Sequence, residues 1–92
     1  MELQLDVSRH EVRYRGRTVS LTSKEFRILQ VLMASEGKVL SRDSILDRAW
    51  GGKTHVLDRT VDVHIAKLRR KIPLLAKTIE TVKDVGYKLR EA

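Results

Sequence analysis

The chain has no cysteine, one proline and four aromatic side chains among its 92 residues, and each scarcity closes off a class of protein. Without cysteine there is no disulfide framework and no thiolate metal site, so a reducing compartment is compatible. One proline and five glycines, with no Gly/Ser-rich or Pro-rich run, leave no linker, and 41% hydrophobic residues argue against disorder. No apolar run approaches the roughly 18 residues of a membrane span, and no signal-peptide pattern opens the chain. A soluble, cytoplasmic chain with no membrane contact is expected. His10, His55 and His64 lack ligand spacing, so no metal is expected. Catalysis finds no cysteine nucleophile, no phosphate-cradling glycine loop and no paired carboxylates beside a histidine. Asp43, Asp47 and Asp58 read as helix N-terminal and surface charges. The chain is therefore read as a non-enzyme without a cofactor.

What is abundant is positive charge. Nineteen Lys/Arg face twelve Asp/Glu, for a net charge of +7. Residues 1–50 hold nine basic and seven acidic groups, whereas residues 51–92 hold ten and five. A single domain with a basic C-terminal half favours a polyanion, although many basic domains simply have solvated Lys/Arg faces.

Local patterns order the chain. Leu3, Leu5 and Val7 alternate, and Val12 and Tyr14 oppose Arg13 and Arg15. With Gly16 as a turn and Val19 and Leu21 in phase, residues 2–21 read as an antiparallel meander. At Thr22 the period changes. Thr22 and Glu25 form a capping box, Phe26, Leu29, Leu32 and Met33 a buried stripe, and Gly37 a left-handed stop, which predicts a helix over about 23–35. Val39 and Leu40 suggest a very short strand. Ser41 then caps a second helix with Ile45, Leu46, Ala49 and Trp50 on its apolar face. Residues 51–57 read as a loop. A third helix runs from Arg59 to Lys71 or Ile72, where Pro73 stops it. IETVK and GYKLR form a terminal hairpin around residues 84–86.

The third helix carries the functional pattern. At about 100° per residue, Val61, Ile65, Leu68 and Ile72 form an inner stripe, while Arg59, Val63, Ala66, Lys67 and Arg70 face outward. A helix-turn-helix inserts its last helix into a DNA major groove, and an adjoining hairpin can reach the backbone or minor groove. Val63, an aliphatic among cations, either reads a thymine methyl or is a lone exposed apolar residue. Thr60 and His64 lie on the flank where phosphates are held. Trp50 is either core or an indole N–H donor to phosphate. Arg42 follows the Ser41 cap, where helix amides attract anions. RNA binding would favour stacking on exposed aromatics, of which there are few. A protein-interaction module is the other alternative, resting on PLLAKT, a loop that exposes Leu74 and Leu75 unless they fold back.

LTSKEFRIL, VLSRDSILDRAW, RTVDVHIAKLRRKI and TVKDVGYKL together resemble the winged-helix DNA-binding effector domain of OmpR/PhoB-type response regulators. The resemblance implies an α+β winged helix-turn-helix with a four-stranded N-terminal antiparallel sheet, three helices and a C-terminal hairpin wing. It implies double-stranded DNA as partner, with Val63 and Lys67 touching bases and Lys83 entering the minor groove. Arg42, Trp50, Arg59, Thr60, His64, Arg70, Thr81 and Tyr87 would hold phosphates. Residues 51–57 would meet RNA polymerase, and copies would pair head to tail on DNA. The resemblance also implies an upstream receiver domain, for which this chain has no room, and a partner sensor kinase. Family wings usually read T-V-R-G-x-G-Y, so Lys83 and Asp84 depart from the pattern. Asp84 is expected to keep the turn but weaken wing binding, and to pair with Lys83.

Overall fold

The computed structural model describes residues 2–51 and 59–90. Three short strands open the chain: β1 (Leu3–Asp6), β2 (Glu11–Tyr14) and β3 (Arg17–Val19). They form an antiparallel meander in the order β1-β2-β3, with Leu3 opposite Tyr14 and Tyr14 opposite Arg17. Arg15 and Gly16 between β2 and β3 both have positive φ, as a two-residue hairpin turn that matches strand twist requires. The sheet has three strands rather than the four the resemblance implies, and β3 ends at Val19. Leu21 is half-buried outside any strand, and Val7, in the turn after β1, is exposed rather than packed on the strand face.

Helix α1 (Ser23–Ala34) begins at the expected capping box. Glu25 N–H donates to Thr22 Oγ1 at 3.2 Å and Thr22 N–H donates to Glu25 Oε1 at 3.0 Å. The helix stops at Ala34, and Gly37 adopts its positive φ three residues later, where its N–H donates to Leu89 O at 2.7 Å. Strand β4 (Val39–Ser41) leads directly into α2 (Arg42–Trp50), whose N-cap Ser41 accepts from Ser44 N–H and whose C-cap Gly51 is left-handed. Helix α3 (Thr60–Lys71) ends at Ile72, before Pro73.

PLLAKT is not a loop. It forms a short helix, α4 (Pro73–Thr78), with Pro73 in the first turn, where its missing N–H costs nothing. Leu75 is fully buried and Leu74 packs against the core, so this segment offers no apolar face to a partner protein. Strands β5 (Ile79–Val82) and β6 (Gly86–Leu89) complete the hairpin. The second sheet is ordered β4-β6-β5, so the short strand ahead of α2 lies at the edge of the hairpin.

One core unites these elements: Leu3 and Val12 from the first sheet, Phe26, Ile28, Leu29 and Leu32 from α1, Ile45 and Ala49 from α2, Val61, Ile65 and Leu68 from α3, and Leu89 from β6. Ile28, not expected in the stripe of α1, is fully buried. Each large aliphatic taken out of water in this way contributes about 1.5–3 kcal/mol. Burial thereby anchors the inner side of the third helix.

Candidate nucleic-acid interface

Helix α3 has four distinct sides. The inner side consists of Val61, Ile65 and Leu68, none of them accessible to solvent. On the opposite side Arg59, Val63, Ala66, Lys67 and Arg70 are all exposed, Val63 by 53%. An aliphatic left half in water among three or more cations is not core. The arrangement suits a surface that meets phosphates with its charges and a methyl group with its valine.

The third side faces α1 and Trp50. His64 lies against the Trp50 ring, with ring centres 5.6 Å apart, and Lys24 Nζ sits 4.8 Å over the same indole. Lys71, seven residues on from His64, donates from Nζ to Glu25 Oε1 at 2.7 Å. Glu25 is wholly buried. Burial pushes its carboxyl up, but the bonds from Lys71 and the Thr22 N–H prevail and hold it below the ordinary carboxylate range. His64 is pushed down, first by burial and further by Lys67 and Lys24, against an opposing pull from Glu25. Its imidazole is therefore neutral near pH 7, and in that form it offers an N–H donor and no charge. Trp50, the last residue of α2, and Thr60, the first residue of α3, are both half-buried.

The fourth side grips the hairpin. Asp62 Oδ1 accepts from Arg42 Nε at 2.8 Å and from the Tyr87 hydroxyl. Seven residues on, Arg69 Nη2 donates to Ile79 O at 2.7 Å and to Thr81 Oγ1 at 3.0 Å. The Arg42 and Arg69 guanidiniums lie 5.9 and 5.7 Å from the Tyr87 ring centre. Tyr87 was expected at a phosphate. In the structure it is 4% exposed and its hydroxyl donates to Asp62, so burial and that bond push the phenol above its ordinary range. Thr81 is exposed, with its oxygen already accepting from Arg69. Arg42 keeps its guanidinium at the start of α2 with Nε occupied, its charge held more firmly by the Asp62 bond.

Lys83 is exposed in the turn of the hairpin, and Asp84 takes a positive φ of 63°. The turn therefore forms as expected, because aspartate tolerates the left-handed region better than most residues. The expected pairing of Asp84 with Lys83 does not form: among the described residues, the nearest acid–base contacts of the hairpin are Lys88 and Arg90 with Glu80, each at 3.5 Å. The expected RNA polymerase loop, apart from Gly51, lies outside the described residues.

Asp62 and Arg69 were not singled out from the sequence as part of this surface. Their seven-residue spacing, which returns to within about 20° on a helix, was the available sign. Gly86 was read as part of the turn. It lies in β6, paired with Ser41, where a Cβ would come 2.0 Å from Leu40 O.

A small three-helix core, an outward basic helix and a hairpin wing fixed to that helix define a winged-helix DNA-binding domain. Residues 16–89 match the family model "Transcriptional regulatory protein, C terminal", and the chain belongs to that family. It is 42% identical over 90 residues to the phosphate regulon transcriptional regulatory protein PhoB of Rhizobium meliloti, covering 96% of this chain and 40% of that protein. It is 45% identical over 93 residues to the transcriptional regulatory protein CseB of Streptomyces coelicolor, covering 97% of this chain and 37% of that one. The chain thus spans about two fifths of the length of these relatives. Among solved structures, the DNA-binding domain of CpxR from E. coli superposes with a TM-score of 0.85 at 32% identity, over 99% of this chain and 92% of that one. The RstA DNA-binding domain of Klebsiella pneumoniae, crystallised with the RstA box, gives 0.84 at 31% identity, over 98% and 92%.

Proposed function

We propose that residues 1–92 form one winged-helix domain that binds double-stranded DNA sequence-specifically, as the effector part of a two-component transcriptional regulator. The observation that carries this reading is the outer side of α3: Arg59, Val63, Lys67 and Arg70 exposed together on a helix whose inner side is completely buried. The helix enters the major groove. Val63 and Lys67 read base edges, and Arg59, Thr60, His64 and Arg70 hold phosphates, as do Arg42 and Trp50 from α2. Lys83 reaches the minor groove or backbone from the wing, with Thr81 beside it. The domain works by binding and not by catalysis, in the cytoplasm. In the full-length protein a receiver domain, phosphorylated by a sensor kinase, governs head-to-tail pairing on repeated half-sites, and residues 51–57 meet RNA polymerase.

The test is a mobility-shift titration against a random-sequence duplex pool at several salt concentrations. Log affinity should fall with log salt by about 0.9 per phosphate contact, giving a steep slope for the contacts named. Selection from the pool should enrich a half-site, and Val63→Ala should blunt discrimination at one thymine position while Lys67→Ala and Arg70→Ala lower affinity on all sequences. Absence of binding at low salt would sink the reading.

A further inference from the structure

Two side chains on one flank of α3 hold the hairpin, and they have opposite charges. Arg69 bonds strand β5 directly through Ile79 O and Thr81 Oγ1. Asp62 bonds strand β6 through the Tyr87 hydroxyl and, with the same oxygen, bonds Arg42 at the start of α2. Three elements that a DNA duplex would meet separately, the recognition helix, the wing and the α2 N-terminus, therefore converge on one carboxylate oxygen. The convergence has a local electrostatic reason. Arg42 and Arg69 both lie over the Tyr87 ring, and two guanidiniums gathered at one aromatic repel each other unless an anion stands between the elements that carry them. Asp62 is that anion. Its bonds from Tyr87 and Arg42 keep it ionised even though burial opposes charge.

From this convergence we infer that Asp62 is a positioning residue that sets the angle between the wing and the recognition helix and aims Arg42, so that groove and backbone contacts are made together. The inference rests on the DNA-binding reading above for its consequence, but not for its geometry. It runs against simple charge counting. Asp62 is a negative group, 37% exposed, on the flank next to the basic face. If charge alone mattered, its removal would strengthen DNA binding at every sequence. As a positioning residue, its removal weakens binding.

The experiment has a DNA arm and a DNA-free arm. On a selected duplex, Asp62→Ala should lower affinity about tenfold, the scale of one lost charge-assisted hydrogen bond. Asp62→Asn, which keeps an acceptor oxygen for both donors, should recover most of the loss. Lys83→Ala should cost less in the Asp62→Ala background than in the parent, because a wing that is no longer aimed cannot lose its contact twice. Tyr87→Phe keeps the ring and deletes only the O–H, so it should reproduce part of the effect even if Asp62→Ala does not fold. For the DNA-free arm, the absence of native cysteine allows clean spin labelling at Ala66→Cys on the outer side of α3 and Val85→Cys at the wing tip, both exposed. The distance distribution between the labels should broaden in Asp62→Ala and in Tyr87→Phe. An equal or higher affinity in Asp62→Ala, an additive cycle with Lys83→Ala, or an unchanged distribution in both variants would overturn the inference. If the parent domain binds no duplex, the DNA-binding reading falls, and the spin-label distribution still decides whether Asp62 holds the wing.

Discussion

The two three-stranded sheets are equal in strand number and differ in what fixes them. The first, β1-β2-β3, is a meander of chain neighbours, with exposed polar contacts such as Arg15 Nε to Glu2 Oε2 at 2.6 Å. The second, β4-β6-β5, joins a strand ahead of α2 to a hairpin behind α4, and side chains of α3 hydrogen-bond to it. A sheet that only covers core can be held by burial and local turns. A hairpin that must point at a ligand needs directional bonds, because the hydrophobic effect has no preferred angle.

The strongest way to break this comparison uses one glycine from each sheet. Gly86→Ala would place a Cβ 2.0 Å from Leu40 O, a backbone atom that cannot swing aside, so β4 and β6 must part. A loss of about 3 kcal/mol or more is expected, a drop in melting temperature of more than about 10 °C by circular dichroism. Gly16→Ala meets nothing within 4 Å and suffers only the strain of a φ of +77°, about 1–2 kcal/mol. Equal losses would mean that the two sheets are fixed alike.

Next come the two arginines. Arg69→Ala removes a half-buried hydrogen bond to Ile79 O, an exposed one to Thr81 Oγ1 and the contact with Tyr87, so a loss of about 1.5–3 kcal/mol is expected in denaturant unfolding. Arg15→Ala breaks an ion pair whose side chains are 67% and 53% exposed, for which about 0–1 kcal/mol is the expected range.

Acid should act on the α3 side of the molecule in two stages. His64 is held below its usual value, so below about pH 6.5 the unfolded chain takes up a proton that the folded chain resists, and stability starts to fall. Asp62 and Glu25 are held below theirs, so their contribution is present above the unfolded carboxylate range and is lost as pH falls through the lower folded values. Urea midpoints at pH 7.5, 6 and 4 should decline in that order. Glu25→Gln should flatten the acid limb, and an unchanged limb would remove the α1–α3 tie from the account.

These contrasts also explain what was legible beforehand. Thr22 with Glu25, Ser41 before α2 and the inner stripe of α3 could be read because each signal lies within one turn or one helical period. Val63 could be recognised as outward for the same reason. Asp62, Arg69 and Gly86 were missed because their meaning depends on which element lies beside them. A flank of α3 at residues 62 and 69 could face water or a hairpin, and only the hydrogen bonds to Tyr87 and Thr81 decide it. PLLAKT was too short for a period to emerge, yet Pro73 sits where a new helix tolerates it. The burial of Tyr87 and its bond to Asp62 were likewise invisible in the motif, because both are tertiary facts.

The smallest expected effect sharpens the comparison at the wing tip. Asp84 adds a negative charge to the turn that carries Lys83, but makes no ion pair with it, so it acts on DNA only through space. An exposed charge in water is screened within about 8–10 Å at ordinary salt, which limits the gain from removing it to about two- to threefold in affinity, fading as salt rises. Asp84→Asn separates charge from conformation, because asparagine also tolerates the φ of 63°. If charge is the cause, Asp84→Asn and Asp84→Gly should tighten binding alike. A gain from glycine alone would assign the effect to the shape of the turn. Glu11→Gln in β2, the same change of charge on the other sheet, should leave DNA affinity where it was. A matching gain there would mean that the wing is no nearer the duplex than the meander, and that the difference between the two sheets is one of stability alone.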